Sequence, residues 1–261
     1  MTSFEESQAV APLLIVLDEA GSTNDELAAR AASESLPPYT ALVTRNQTTG
    51  RGRRDRGWTM PAGRGLAISV LLPSPAPQMA PWLPLAAGVA MRDAVAAVLS
   101  PAVLPAASVA LKWPNDVLVA ERKVCGVLGR LTPDGVIMGA GLNVRLTAED
   151  LPVPTATSLV LEGVADDDGL DDRMLAGYLT RLRELVESLR ASGGEGSGLR
   201  AAALAACETI GREVRVELPD GSALVGHAVD IAPDARLVVR TRGGSLESVA
   251  AGDVVHVRPA G

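Results

Sequence analysis

Four apolar runs, Val109–Trp113, Val117–Ala120, Val124–Leu131 and Val136–Val144, follow one another with only a few turn-forming residues between them. Connections that short join antiparallel neighbours, because parallel neighbours need a crossover of about a dozen residues or more. The region therefore demands an antiparallel or mixed sheet, and the rest of the chain has to pack on it. Leu13–Leu17 reads as a further strand, short and buried. Ala41–Thr44 and Leu66–Leu72 read as two more, on either side of a glycine- and arginine-rich loop.

Helices account for the intervening segments. Thr23 and Glu26 have the spacing of a capping box, followed by an apolar stripe of Leu27, Ala28 and Ala31. The most apolar stretch is broken by Pro84, Arg92 and Asp93, so Trp82–Leu99 is predicted as a buried amphipathic helix and not a membrane span. Asp172–Leu189 is a third helix. Three Trp, two Tyr and one Phe are the only aromatic residues among 261, so the core must be built from Ala, Val and Leu, and each Trp needs an explanation.

Ser192–Gly198 (Ser-Gly-Gly-Glu-Gly-Ser-Gly) has the composition of a flexible connection. A short helix near Leu199–Ala206 follows, and then the texture changes. Val214–Leu218, Ala223–Ile231, Leu237–Thr241, Leu246–Val249 and Val254–Val257 read as five short strands. That pattern predicts a small β-barrel of about 50 residues, stabilised partly by docking because so small a core is marginal alone. The expected division is 1–206 and 207–261.

With 24 Lys and Arg against 31 Asp and Glu, the net charge is −7. This argues against coating DNA or an anionic membrane but leaves room for a local basic site. Cys125 and Cys207 match no metal or redox spacing and are expected to be reduced thiols of a cytoplasmic protein. His227 and His256 stand in a valine-rich region without recognisable partners and read as core or surface residues. Met1–Ala11 carries Glu5 and Glu6 and lacks the features of a secretory signal.

Three segments carry candidate chemistry. In Gln47-Thr48-Thr49-Gly50-Arg51-Gly52-Arg53-Arg54-Asp55-Arg56-Gly57-Trp58, glycines expose backbone N–H groups and arginines offer paired donors to phosphate oxygens. The Walker spacing is absent, and a solvated basic loop or a nucleic-acid patch with Trp58 as a stacking platform fits the segment equally well. In Lys112-Trp113-Pro114-Asn115-Asp116, the proline ends a strand and sets an amide and a carboxylate at a turn, with Asp116 suited to a magnesium ion or a ribose hydroxyl. Lys123 opens the next strand, where a lysine is held well enough to stabilise developing charge. Gly139-Ala140-Gly141-Leu142-Asn143 is either close strand packing or a place where a ligand approaches the backbone.

In this order, and together with Ser22-Thr23-Asn24 and Arg122-Lys123 before Gly126, these segments resemble the biotin protein ligase family. The resemblance runs from about residue 13 to the C-terminal strands and rests on the combination, since each fragment alone is weak. It implies an α+β fold, with a mixed-sheet catalytic domain of the class II tRNA synthetase-like type and a C-terminal SH3-like barrel. It implies activation of biotin with ATP and Mg2+ to biotinyl-AMP, then transfer to one lysine of a biotin carboxyl carrier protein. On this resemblance Lys123, Arg53 and Asp116 are catalytic, with Asp116 holding the metal. Ser22, Thr23, Asn24, Gln47, Gly50, Arg51, Arg53 and Lys123 bind biotin; Arg54, Arg56, Trp58, Lys112, Asn115 and Asn143 bind nucleotide.

Many members carry an N-terminal DNA-binding domain, for which the start of the resemblance leaves no room, so the expectation is an enzyme without DNA or membrane partners, monomer or homodimer. The nearest alternative is a lipoate or octanoate ligase or transferase of related fold. A DNA-binding regulator is the rival from another class. Asp55, an acid among the loop's arginines, has no explanation in the sequence.

Overall fold

The computed structural model describes residues 3–53, 56–58, 60–99, 108–194, 196–218, 221–250 and 253–256. The larger sheet contains β1 (Leu14–Leu17), β2 (Ala41–Thr44), β5 (Gly65–Leu72), β6 (Val109–Lys112), β7 (Asp116–Val119), β8 (Arg122–Thr132) and β9 (Gly135–Asn143). Its order is β1-β2-β5-β9-β8-β7-β6. The β1–β2 pair is parallel and the other pairings are antiparallel, so the sheet is mixed. The two-residue strands β3 (Gly50–Arg51) and β4 (Gly57–Trp58) form a separate hairpin within the arginine loop.

The helices are α1 (Glu5–Val10), α2 (Thr23–Ser33), α3 (Leu83–Val98), α4 (Leu170–Ala191) and α5 (Ser197–Ala206). Strand alternation decides which face each of them covers. Along β9, Val136, Met138, Ala140 and Leu142 point into the main core beneath α3 and α4. Ile137 points the other way, into a smaller cluster with Leu27 and Ala31 of α2, Leu42 and Leu71. Thr23, Leu27 and Ala31, four residues apart, form the buried stripe of α2. The same alternation turns Gly139, Gly141 and Asn143 of β9 towards the face that α2 only partly covers.

Two expectations change in detail, and one helix is unexpected. The N-cap of α2 is Ser22, whose side chain accepts the Asp25 N–H at 3.4 Å, because Thr23 spends its hydroxyl on Gln47. Strand β1 is an edge strand and is not buried, with Val16 47% exposed. Helix α1 has no sequence signal of its own. Its Glu6 and Ser7 N–H groups are accepted by the Asp172 carboxylate at 2.9 Å, a cap supplied from α4.

The C-terminal strands β10 (Glu213–Glu217), β11 (Ala223–Ile231), β12 (Leu237–Thr241), β13 (Leu246–Val249) and β14 (Asp253–His256) form one antiparallel sheet in the order β13-β12-β11-β10-β14. Two of the three tryptophans explain themselves here. Trp82 Nε1 donates to Pro233 O at 3.1 Å and Trp113 Nε1 donates to Ala235 O at 3.3 Å, so both indoles hold one turn between β11 and β12. Arg200 of α5 adds a two-oxygen pairing with Asp230 at 2.7 Å. Within the segment that reads as a flexible connection, two glycines are packed. A Cβ on Gly194 would meet Gln78 Cγ at 2.7 Å, and one on Gly196 would meet Trp82 Cε2 at 2.9 Å. Both glycines have positive φ, 87° and 62°, a conformation open to residues without a side chain.

Candidate active site

A cavity of about 1070 Å³ lies on the α2 side of the large sheet. Its floor is β9, where Gly139 and Gly141 leave the backbone bare. A Cβ on Gly141 would lie 2.5 Å from the Trp58 indole, and one on Gly139 would collide with the Asn24 amide. Side chains therefore fit against this strand only because it lacks its own, which is the close approach that the Gly-Ala-Gly run permits.

One wall is the start of α2. The Gln47 side-chain oxygen accepts from Thr23 N at 2.9 Å and from Thr23 Oγ1 at 3.2 Å. Backbone bonds from Ala20 N to Asn46 O, Thr48 N to Ala20 O and Thr49 N to Gly21 O stitch this helix start to the entry of the arginine loop. Asn24 lines the cavity, but its amide is committed: the oxygen accepts Ser69 Oγ at 2.6 Å and the nitrogen donates to Leu128 O at 3.1 Å. Gly50 does not line it. A Cβ there would strike the Gln47 amide and, at 2.5 Å, the Trp58 carbonyl, so Gly50 packs the hairpin against Gln47 and does not face a ligand.

The opposite wall combines the hairpin with β7 and β8. Arg53 donates to Asn115 Oδ1 at 3.3 Å, while Asn115 Nδ2 donates to Val127 O at 2.8 Å and so fixes which way the amide faces. Lys123 Nζ sits 2.7 Å from Asp116 Oδ1 and 5.3 Å from the centre of the Trp58 ring. A β-bulge puts it there. Val117 pairs with Cys125 and the next residue, Leu118, pairs with Lys123, so Val124 is an extra residue in β8. Both Val124 and Cys125 are fully buried, and Lys123 shares the cavity face with Gly126, three positions on, against strict alternation.

Among the described lining residues, Arg51, Arg53, Arg56, Lys123 and Arg130 face two carboxylates, Asp25 and Asp116. The acidic chain thus concentrates positive charge at one site, as an anionic ligand requires. Arg51 pairs with Asp25 at 3.5 Å, and Arg130 also contacts Asp25. The Trp58 indole N–H is buried with no hydrogen-bond partner, which leaves a donor for an acceptor supplied by a ligand.

Ser22, Thr23, Asn24, Gln47, Arg51, Arg53, Arg56, Trp58, Asn115, Asp116, Lys123 and Asn143 all line this one cavity. Lys112 does not. It stands at the end of β6 beside Glu208, Arg212 and His256. Arg54 and Asp55 lie outside the described residues. His256 has the partners its sequence neighbourhood lacks, Thr209 Oγ1 at 3.2 Å and Glu208 Oε1 at 3.6 Å. No group of three or more His, Cys, Asp or Glu able to hold a metal occurs among the described residues. Asp116 alone suits magnesium, which takes one or two carboxylates and completes its shell with phosphate and water.

Residues 18–144 match the model of the biotin/lipoate A/B protein ligase family, and residues 209–257 match the biotin protein ligase C-terminal domain. The chain is 40% identical to the biotin--[acetyl-CoA-carboxylase] ligase of Mycobacterium tuberculosis over 94% of its own length and 89% of that protein. The chain belongs to the biotin protein ligase family. Its fold superposes on the biotin protein ligase of Aquifex aeolicus in complex with biotin and ATP with a TM-score of 0.75 at 26% identity, covering 95% of this chain and 99% of that one. The Leishmania major biotin protein ligase in complex with biotinyl-5-AMP gives 0.58 at 25% identity, covering 92% and 99%.

Sequence reasoning did not find Thr157 and Glu162, which stand behind this biotin protein ligase cavity. Asn143 Nδ2 donates to Thr157 O at 2.9 Å, and Thr157 Oγ1 donates to Glu162 Oε1 at 2.5 Å. Their only signal in the sequence is a polar Thr-Ser pair and a lone Glu among apolar residues.

Proposed function

We propose that the cavity performs both half-reactions of a biotin ligase. The biotin carboxylate attacks the α-phosphorus of ATP to form biotinyl-AMP and pyrophosphate, and a carrier lysine then attacks the acyl carbon and releases AMP. The observation that carries this reading is the cationic cavity over the glycines of β9, lined by Lys123 and Asp116 and by the Gln47–Thr23 pair.

Each residue has a physical part. The first step brings a carboxylate towards a polyphosphate, so the site must hold anions together. Lys123 stabilises the charge that develops at the α-phosphate, and the preorganised arginines share the load. Magnesium, held through Asp116, would supply further positive charge on the phosphates. Ser22, Thr23 and Gln47 border the biotin rings, with Asn24 and Trp58 packed on Gly139 and Gly141 beside them. Trp58, Arg56, Asn115 and Asn143 border the nucleotide. The hairpin carrying Arg51 and Arg53 closes over the intermediate and keeps water away until the carrier arrives.

The acceptor in this proposal is a biotin carboxyl carrier protein of acetyl-CoA carboxylase or a related carboxylase. The catalytic part is 1–206, of the class II synthetase-like type, and 207–261 is an SH3-like barrel, a reading supported by five short antiparallel strands of which the last, β14, returns to pair with the first, β10. Among the described residues no helix is long and apolar enough to cross a membrane. A cytoplasmic setting fits two buried free cysteines, with Cys125 pushed up to about 12 by burial and so kept as a thiol.

ATP–pyrophosphate exchange with biotin, lipoate and octanoate in parallel tests the proposal. Exchange with biotin alone, followed by labelling of a carrier domain, is the expected outcome. Exchange driven by lipoate or octanoate instead would overturn it.

A further inference from the structure

Residues 155–160 lie across the ends of β8 and β9 and hold both strands through their backbones. Lys123 N donates to Thr155 O at 2.7 Å and Thr157 N donates to Lys123 O at 2.8 Å, so both backbone polar groups of Lys123 are engaged by one short parallel bridge. Further along, Leu159 N donates to Asn143 O at 3.1 Å and Val160 N donates to Val144 O at 3.0 Å.

Glu162 closes this arrangement into a ring. Its side chain is 4% exposed, and Oε1 receives both Thr157 Oγ1 at 2.5 Å and Arg122 NH2 at 2.6 Å. Adjacent strand residues point to opposite faces, so Arg122 reaches back to Glu162 while Lys123 reaches into the cavity. A buried carboxylate is costly unless it is paired and hydrogen-bonded, and both partners here flank the same lysine backbone. Neither Thr157 nor Glu162 lines the cavity among the described residues.

We propose that Glu162 and Thr157 are positioning residues: their clasp on Arg122 and on the Lys123 backbone, next to a bulge that leaves β8 locally irregular, fixes where the Lys123 ammonium stands. Without the side-chain clasp the start of β8 would be held by β7 and by the backbone bonds to Thr155 and Thr157, with no side chain fixing that bridge in place. The inference rests on the proposed charge-stabilising role of Lys123.

The test compares Glu162→Gln, Thr157→Val and Thr157→Ser in the full-length enzyme, with Lys123→Ala and the Lys123→Ala/Thr157→Val double variant alongside. Rates of biotin-dependent pyrophosphate exchange are expressed per folded enzyme, measured by thermal unfolding. A small misplacement of a reacting group can cost about a hundredfold, so Thr157→Val and Glu162→Gln should lower kcat by about tenfold to a hundredfold. The KM for biotin should hold, because Gln47 and Thr23 are untouched. Thr157→Ser should restore kcat, and Thr157→Val should cost little more once Lys123 is gone.

Wild-type kcat in Thr157→Val, with Lys123→Ala impaired, overturns this inference alone. So does a Thr157→Val penalty undiminished in the Lys123→Ala background, which would assign the hydroxyl to general packing. Full activity of Lys123→Ala overturns the role of Lys123 and this inference with it. If Glu162→Gln does not fold, the two Thr157 variants decide.

Discussion

The Lys123 ammonium lies 2.7 Å from the Asp116 carboxylate, with side chains 31% and 21% exposed. The carboxylate holds the ammonium at the cavity wall, where a polyphosphate would meet a cation of fixed position. Lys123→Ala should lower adenylate formation by about 10² to 10³, the usual cost of one preorganised donor. Thermal stability should change little, since a partly exposed ion pair contributes about 0–1 kcal/mol. Pyrophosphate exchange and thermal unfolding of the same preparation measure the two effects. A variant within a few fold of wild type would remove Lys123 from the mechanism.

Holding the intermediate is a different task from making it. Arg53 ties the hairpin to Asn115, and Arg51 ties it to Asp25. Arg53→Gly removes one tether and adds backbone freedom, so the open hairpin gains population. Adenylate formation should survive while biotinyl-AMP escapes faster and labels lysines of bystander proteins. Release of radiolabelled adenylate, measured with labelling of an unrelated protein, reads both. Wild-type retention would show that the hairpin is no lid.

The C-terminal sheet should loosen before the large sheet does. Trp113→Phe leaves the Ala235 carbonyl without its buried donor. A group orphaned in this way costs about 1–3 kcal/mol, readable as a lower urea midpoint. Amide exchange in β10–β14 should rise more than in β5 and β9. Truncation after residue 206 goes further, since it strips partners from Trp82, Trp113 and Arg200 together. Transfer to the carrier should suffer more than ligand recognition, since every described residue that lines the cavity precedes the cut. Full-rate transfer by the truncated protein would deny the sheet any part in catalysis.

Acid should act through the same boundary. Burial, with Lys112 and Arg212 nearby, pushes His256 down from 6.5 to about 4 against the opposing charge of Glu121. A depressed value means that the unfolded chain binds the proton more readily. The stabilising contribution of neutral His256 is therefore present above pH 6.5 and lost as pH falls towards 4. Burial raises Glu208, whose contribution runs the other way. His256→Gln should flatten the fall in Tm between about pH 7 and 5. An unchanged slope would locate the acid sensitivity elsewhere.

Much of the fold can be read from the sequence because its strands are apolar runs separated by short turns. In β9 the even positions Val136, Met138, Ala140 and Leu142 are core, while Gly139, Gly141 and Asn143 belong to the cavity. The arginine loop and the Lys-Trp-Pro-Asn-Asp turn announce themselves by composition. What stays hidden depends on distant partners. The cap of α1 comes from Asp172, the extra residue Val124 reverses the facing of Lys123, and Glu162 acquires its purpose only where Arg122 and Thr157 meet. Lys112 stands opposite Asp116 across the β6–β7 pair, yet it does not line the cavity, and its charge acts on Glu208 and His256 instead.

The glycines at 193–196 carry a practical lesson for anyone who handles this protein. Their composition invites a cut site, a tag or an inserted reporter, as though length there were free. Gly194 and Gly196 are instead a fitted corner, pressed against Met79 and the Trp82 ring, whose other side reaches Pro233. Added bulk would lift that indole and, with it, the anchoring of the entire C-terminal sheet. Positions 194 and 196 are the wrong places to splice.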